Sequence, residues 1–124
     1  MRILIVDDSP VMRSLIKRLL ASMGLTEVTD APDGAQALQA VAANPFDLIL
    51  MDWRMPVLSG LDTLKRLKAN PDFCQIPVVM VTSESQKAMI LEAIQAGAAN
   101  YIVKPFNESI LKEKLQPFLD KKAA

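Results

Sequence analysis

Short, nearly uninterrupted apolar runs alternate along the chain with longer segments in which apolar residues recur every three or four positions. The runs at residues 3–6, 26–31, 46–51, 77–81 and 101–103 have the length and residue content of strands. Between them the clearest helical period covers residues 9–23, where Met12, Leu15, Ile16, Leu19, Leu20 and Met23 share one face. Ser9 is the expected N-cap of that helix, Pro10 its first helical residue and Gly24 its stop. Asp33 opens a second helix that Asn44-Pro45 closes, and a third begins near Ser59 and ends at Asn70-Pro71. A fourth is expected from about Ser85 to Ala96, ended by Gly97. Asn107 caps a fifth, whose inner stripe is Leu111, Leu115, Phe118 and Leu119.

Strand and helix thus alternate five times, which implies right-handed crossovers and a parallel sheet covered on both faces. A closed eight-stranded barrel needs roughly 250 residues. With 124 residues the chain has about half of that, so an open, doubly wound α/β sheet of five parallel strands, (βα)5, is predicted. The second run carries Glu27, Thr29 and Asp30 among its apolar residues and therefore belongs at an edge. No linker, repeat or low-complexity tract interrupts residues 1–124, so a single domain without an output domain is expected.

Charge and composition exclude several kinds of chemistry. Fourteen basic residues balance fourteen acidic ones, leaving no electrostatic footprint for nucleic acid or an anionic membrane. The absence of histidine rules out His-based zinc sites, Ser-His-Asp triads and Cys-His dyads, and the chain cannot carry a phosphohistidine. Cys74 has no partner and reads as a half-buried free thiol. The apolar run after Arg2 is too short for a signal peptide or a membrane span. A monomeric cytoplasmic protein with no nucleic-acid or membrane partner is expected.

The candidate chemistry lies at the strand ends. The first strand runs into Asp7 and Asp8, the third into Asp52, the fourth into Thr82 and the fifth into Lys104, while the edge strand delivers nothing comparable. In open α/β sheets the ligand crevice lies outside the carboxyl ends of the strands, so these side chains should converge there. Two carboxylates ~4 Å apart repel by about 4 kcal/mol at an effective dielectric near 20, so the cluster needs cations. Lys104 supplies one charge, and carboxylate, carbonyl and water ligands suit Mg²⁺. A Mg²⁺ ion facing a lysine and a hydroxyl can hold the outer oxygens of a phosphoryl group in transfer. Asp52 is the expected nucleophile, ending the most apolar strand ahead of a loop, residues 53–56, that would hold it exposed at the crevice. Gly24, Gly34, Gly60 and Gly97 are isolated, so no glycine-rich loop cradles ATP and the phosphoryl donor must come from outside. Taken singly, Asp7-Asp8 could serve a helix N-terminus, Thr82 a cap and Lys104 a solvated chain end. Only the constellation carries the chemistry.

Asp7-Asp8, Asp52 with Met55-Pro56 and Gly60 behind it, Thr82, and Tyr101 before Lys104-Pro105 together resemble the receiver domains of two-component response regulators. The resemblance covers about residues 2–120. Asp7-Asp8-Ser9 with Met12-Arg13, Asp52-Trp53, and the stretch from Ala96 to Phe106 are most similar to the stand-alone chemotaxis regulators of that family. The resemblance implies the flavodoxin-like strand order 2-1-3-4-5 and phosphorylation of Asp52 by a histidine kinase. It implies Mg²⁺ held by Asp8, Asp52 and the backbone carbonyl of Arg54, and by Asp7 largely through water. Thr82 and Lys104 would bind phosphoryl oxygens, the Lys104-Pro105 bond would be cis, and Tyr101 would turn inward as Thr82 moves toward the phosphoryl group. The downstream target would be a flagellar motor switch component, and a phosphatase would be a further partner.

Arg54 departs from the small or polar residue common two positions after the acceptor, and Glu84 lies two after Thr82. The two flank the path of a hydrolytic water and could modulate loss of the phosphoryl group, or form an ordinary surface pair of ~0–1 kcal/mol. On the fourth helix Ala88, Met89, Ile90, Leu91, Ala93 and Ile94 spread nearly round the axis, more than one buried face absorbs. An apolar strip beside Tyr101, including Ile90 and rimmed by Lys87 and Lys114, is a candidate docking face, with deep packing of Met89 and Ile90 as the alternative. Two other functions use the same residues. One is a phosphorelay intermediate or phosphate sink. The other is a Mg²⁺-dependent aspartyl-phosphate phosphatase, against which Arg54 occupies the position of the second acid such enzymes generally need.

Overall fold

The computed structural model describes residues 1–83 and 87–123, with side chains through residue 120. Five strands and five helices alternate: β1 (Ile3–Val6), α1 (Pro10–Ser22), β2 (Val28–Ala31), α2 (Gly34–Ala43), β3 (Leu48–Met51), α3 (Gly60–Ala69), β4 (Val78–Thr82), α4 (Lys87–Gln95), β5 (Asn100–Val103) and α5 (Glu108–Ala123). All four strand pairings are parallel, and the sheet order is β2-β1-β3-β4-β5. The expected starts of the second and third strands are two residues early, because 26–27 and 46–47 approach the sheet before joining its ladder.

The predicted caps form as local chemistry dictates. The Ser9 hydroxyl accepts from the Met12 N–H at 3.2 Å, Asp33 from Gln36 N–H at 2.8 Å, Ser59 from Asp62 N–H at 3.1 Å and Asn107 from Ile110 N–H at 2.9 Å. Gly97 ends α4 with φ +110°, a conformation natural to glycine. The expected start of this helix at Ser85 lies outside the described residues. Pro117 sits inside α5, where it withholds one helical N–H without ending the helix.

Each central strand buries both of its faces, which explains its continuous apolar run. Ile3, Ile5, Leu48, Leu50, Val79, Val81 and Ile102 meet Ile16 and Leu20 of α1 and Leu111 and Leu115 of α5. Leu4, Val6, Ile49, Met51, Val78 and Met80 face α2, α3 and α4 through Ala37, Val41, Leu64, Leu67 and Ala93. Strand β2 is an edge, with Thr29 exposed and Val28 and Asp30 half-buried. Two cores of this kind clamp the middle of the sheet and leave the strand ends to vary, so chemistry can be placed there without disturbing the packing.

Candidate phosphoacceptor site

Asp7 leaves β1 as a buried carboxylate, 1 % exposed. Its N–H donates to the Ala31 carbonyl of β2 at 3.1 Å, and its Oδ1 accepts from the Ser9 N–H at 2.9 Å. Asp52 leaves β3 beside it, donating its N–H to the Val6 carbonyl at 2.9 Å. Its Oδ1 accepts from the Trp53 N–H at 2.7 Å. Lys104 reaches across from the end of β5, its Nζ 2.8 Å from Asp7 Oδ2 and 3.2 Å from Asp52 Oδ2. The Lys104 N–H donates to the Thr82 carbonyl at 2.8 Å, tying the ends of β4 and β5, and the Lys104-Pro105 bond is cis. Thr82 itself is buried at the end of β4, and Asp8 is exposed.

Asp52 is more enclosed than its loop suggested. Its side chain is 13 % exposed, because Lys104 lies over one oxygen, the Trp53 backbone caps the other, and the Trp53 ring is itself buried. Gly60 permits this closure: a Cβ there would stand 1.9 Å from the Asp52 carbonyl oxygen, while the Gly60 N–H donates to the Trp53 carbonyl at 2.7 Å.

Burial pushes the Asp52 carboxyl above its ordinary 3.8; the charge of Asp7 adds to the push, and Lys104 and the Trp53 N–H oppose it. For Lys104, burial alone would favour the neutral amine. The contacts with Asp7 and Asp52 outweigh it and hold the ammonium above its usual range. Asp7, Asp8 and Asp52 each offer an oxygen, and these oxygens all lie within 4.8 Å of one another. Ligand oxygens around Mg²⁺, with bonds of about 2.1 Å, are separated by roughly 3–4 Å, so small adjustments bring the three carboxylates onto one hard ion. Three carboxylates against a single ammonium also leave negative charge that such an ion would neutralise. The donor set fits Mg²⁺.

The residues assigned to the switch face are only partly brought together. Tyr101 is half-buried on β5 with the Lys114 Nζ 5.4 Å from its ring centroid. Ile90 and Met89 are half-buried and, with Trp53, Thr82 and Tyr101, line an apolar pocket of about 10 Å³. That is room for about one water. Leu91 and Ile94 are 50 % and 44 % exposed, so α4 does leave apolar surface uncovered. Lys87 is exposed at the start of α4. Arg54 is exposed in the loop after Asp52, and its suggested partner Glu84 lies outside the described residues.

One group was not anticipated. The edge strand does reach the site, since the Asp30 carboxylate accepts from Arg13 Nε at 2.9 Å and meets Lys17 Nζ at 3.2 Å. Arg13 Nη1 in turn donates to the Asp7 carbonyl at 2.6 Å. Partial burial works against the charged form of Asp30, but Lys17 and Arg13 together hold its carboxyl below the ordinary value. The polar residues within the second apolar run were the available signal, and they identified the edge without revealing the partner.

Known proteins share this architecture. The model of the response regulator receiver domain matches residues 3–116. The chemotaxis protein CheY of Pseudomonas aeruginosa is 42 % identical over 121 residues, 98 % of each chain, and CheY1 of Helicobacter pylori J99 is 43 % identical over 120 residues, 96 % of this chain and 97 % of that one. Among solved structures, Vibrio cholerae CheY4 superposes with a TM-score of 0.87 at 33 % identity, covering 94 % of this chain and 97 % of that one. The receiver domain of a Pseudomonas aeruginosa sensor histidine kinase, solved with a magnesium ion in its active-site cleft, gives 0.86 at 33 % identity over 96 % and 97 % of the two chains. With the family model spanning residues 3–116 and near full-length relatives among chemotaxis regulators, this chain belongs to the response regulator receiver domain family.

Proposed function

We propose that the chain is a phosphorylation-activated signalling switch in which Asp52 accepts a phosphoryl group from the phosphohistidine of a kinase. The observation that carries this reading is the Asp52 carboxylate itself, enclosed beside Asp7 and Asp8 and bonded to the Lys104 ammonium. An oxygen of Asp52 attacks phosphorus in line, the P–N bond to the donor imidazole breaks, and the nitrogen keeps the electron pair. The Lys104 ammonium and the Thr82 hydroxyl take outer phosphoryl oxygens, where charge spreads during transfer. Asp8, Asp52 and the Arg54 carbonyl would hold Mg²⁺, with Asp7 acting largely through water. The ion would neutralise the incoming phosphoryl charge. Support for this ion comes from the donor set and from the magnesium-bound neighbour.

Once formed, the acyl phosphate draws Thr82 toward it and lets Tyr101 turn in over the space that Thr82 leaves. The small pocket shared by Thr82, Ile90 and Tyr101 supports this route. Reversing a two-state population from 1:99 to 99:1 takes ~5.5 kcal/mol of differential stabilisation, which the new phosphoryl contacts must supply. The activated face, with Ile90, Tyr101 and Lys114 and with Lys87 at its margin, then binds a target. Likeness to chemotaxis regulators points to a component of the flagellar motor switch.

The test uses Trp53, the single tryptophan. Its fluorescence is followed while Mg²⁺ and then beryllium fluoride are added, with Asp52→Asn as control. Saturable Mg²⁺ quenching followed by a fluoride-dependent change that Asp52→Asn abolishes is expected. No response to either refutes the reading, and sustained turnover of small phosphoesters would favour the phosphatase instead.

A further inference from the structure

Asp7 and Asp8 are adjacent, yet they are held very differently. The Asp7 carboxylate is fixed by the Ser9 N–H and by Lys104. The Asp8 carboxylate is exposed, and among the described residues no hydrogen bond reaches it. With no side-chain contact among the described residues to hold it, the Asp8 carboxylate is placed only through its backbone, which sets the direction of the Cα–Cβ bond. The peptide unit that carries the Asp8 N–H is planar and ends in the Asp7 carbonyl oxygen, so fixing that oxygen fixes the plane from which the Asp8 side chain departs.

Arg13 holds that oxygen. Its Nη1 donates to the Asp7 carbonyl at 2.6 Å and its Nε to Asp30 Oδ2 at 2.9 Å, with the Arg13 side chain only 18 % exposed. Lys17, one turn further along α1, takes the other oxygen of Asp30 at 3.2 Å. Asp30 stands opposite Ile5 in the sheet register, two residues before Asp7 on the neighbouring strand. The guanidinium thus spans α1, the edge strand and the turn that carries the metal-binding aspartates. A planar fork can serve a carboxylate and a carbonyl at once, which a lysine point charge cannot do with the same geometry.

We propose that Arg13, braced by Asp30, is a positioning residue that sets the Asp7-Asp8 peptide and so pre-forms the divalent-cation side of the site. This rests on the reading of the acidic cluster as a Mg²⁺ site. Charge and positioning predict opposite signs. Removing a cation beside three carboxylates would, by Coulomb's law alone, tighten Mg²⁺ binding. Releasing the peptide should loosen it, by about tenfold where an outer partner of a metal ligand is lost.

The experiment is a Mg²⁺ titration of Trp53 fluorescence in the wild type, Arg13→Ala and Arg13→Lys, with amide spectra of each metal-free protein. Expected are a Kd for Mg²⁺ raised about tenfold in Arg13→Ala and about threefold in the charge-conserving Arg13→Lys. In metal-free Arg13→Ala, the Asp8 amide should shift and exchange faster. A folded Arg13→Ala with an unchanged or lower Kd overturns the proposal, even if its melting temperature falls. Should Arg13→Ala fail to fold, an unchanged Kd in Arg13→Lys overturns it equally. A wild type that does not bind Mg²⁺ overturns the metal-site reading and this proposal with it, a result distinct from wild-type binding with unmoved variants.

Discussion

The acidic pocket and the α4–β5 flank lie against each other at Thr82 and Trp53, but they are built on opposite terms. In the pocket the enclosed carboxylates have charged or backbone partners: Lys104 bridges Asp7 and Asp52, Trp53 caps Asp52, and Gly60 lets the loop close over it. On the flank, α4 buries only Ala93 among its residues, Leu91 and Ile94 face solvent, and Tyr101 borders a small apolar pocket. One region is held by short polar contacts that fix geometry, the other by sparse packing that leaves local rearrangement inexpensive. A switch needs both, since chemistry demands fixed ligands while a response demands an element whose two positions differ by little free energy.

The largest expected effect comes from breaking the lock of the pocket. Lys104→Ala leaves two enclosed carboxylates facing each other and should destabilise the metal-free chain at pH 7 by about 2 kcal/mol, less than for a fully buried pair because the crevice admits water. Urea titration in chelator checks this, and added Mg²⁺ should restore part of the loss.

Asp52→Asn acts in the opposite direction. Because folding raises the Asp52 pKa above its ordinary 3.8, the ionised group opposes folding. Stability therefore falls as pH rises through the folded-state pKa, and the substitution should stabilise the metal-free protein at pH 7. That gain should vanish well below pH 3.8, where the group is protonated in both states. A gain independent of pH would instead indicate a packing effect.

The smallest effect belongs to the flank. Leu91→Ser, at a side chain half exposed, should change stability by less than about 0.5 kcal/mol while weakening capture of the proposed target by the activated protein. A loss of several kcal/mol in thermal or urea unfolding would show that the flank is as tightly held as the pocket and would erase the contrast.

Much of this molecule was legible from neighbouring residues. Strand runs, helical periods and caps at Ser9, Asp33, Ser59 and Asn107 depend on interactions within a few positions, and the strand-end residues Asp7, Asp52, Thr82 and Lys104 followed once the strands were known. Distant pairings left weaker traces. Arg13 and Asp30 are 17 positions apart, each ordinary in its own segment, and nothing local says that one guanidinium serves both Asp30 and the Asp7 carbonyl. The enclosure of Asp52 likewise depends on Lys104, 52 positions away, and on a loop fold that its own residues do not announce.

The alternation of elements, the parallel sheet and the set of side chains delivered to its carboxyl edge can all be read from residue order, because periodicity and capping are local and a strand end has only one place to go. How far Asp52 is buried, which carboxylates share the Lys104 ammonium, that Arg13 and Asp30 tie the edge strand to the Asp7-Asp8 turn, and that Tyr101 borders a small pocket beside α4 emerge only from contacts between distant segments. Those outcomes turn on side-chain paths across the crevice, where differences of an ångström decide whether charges pair or repel.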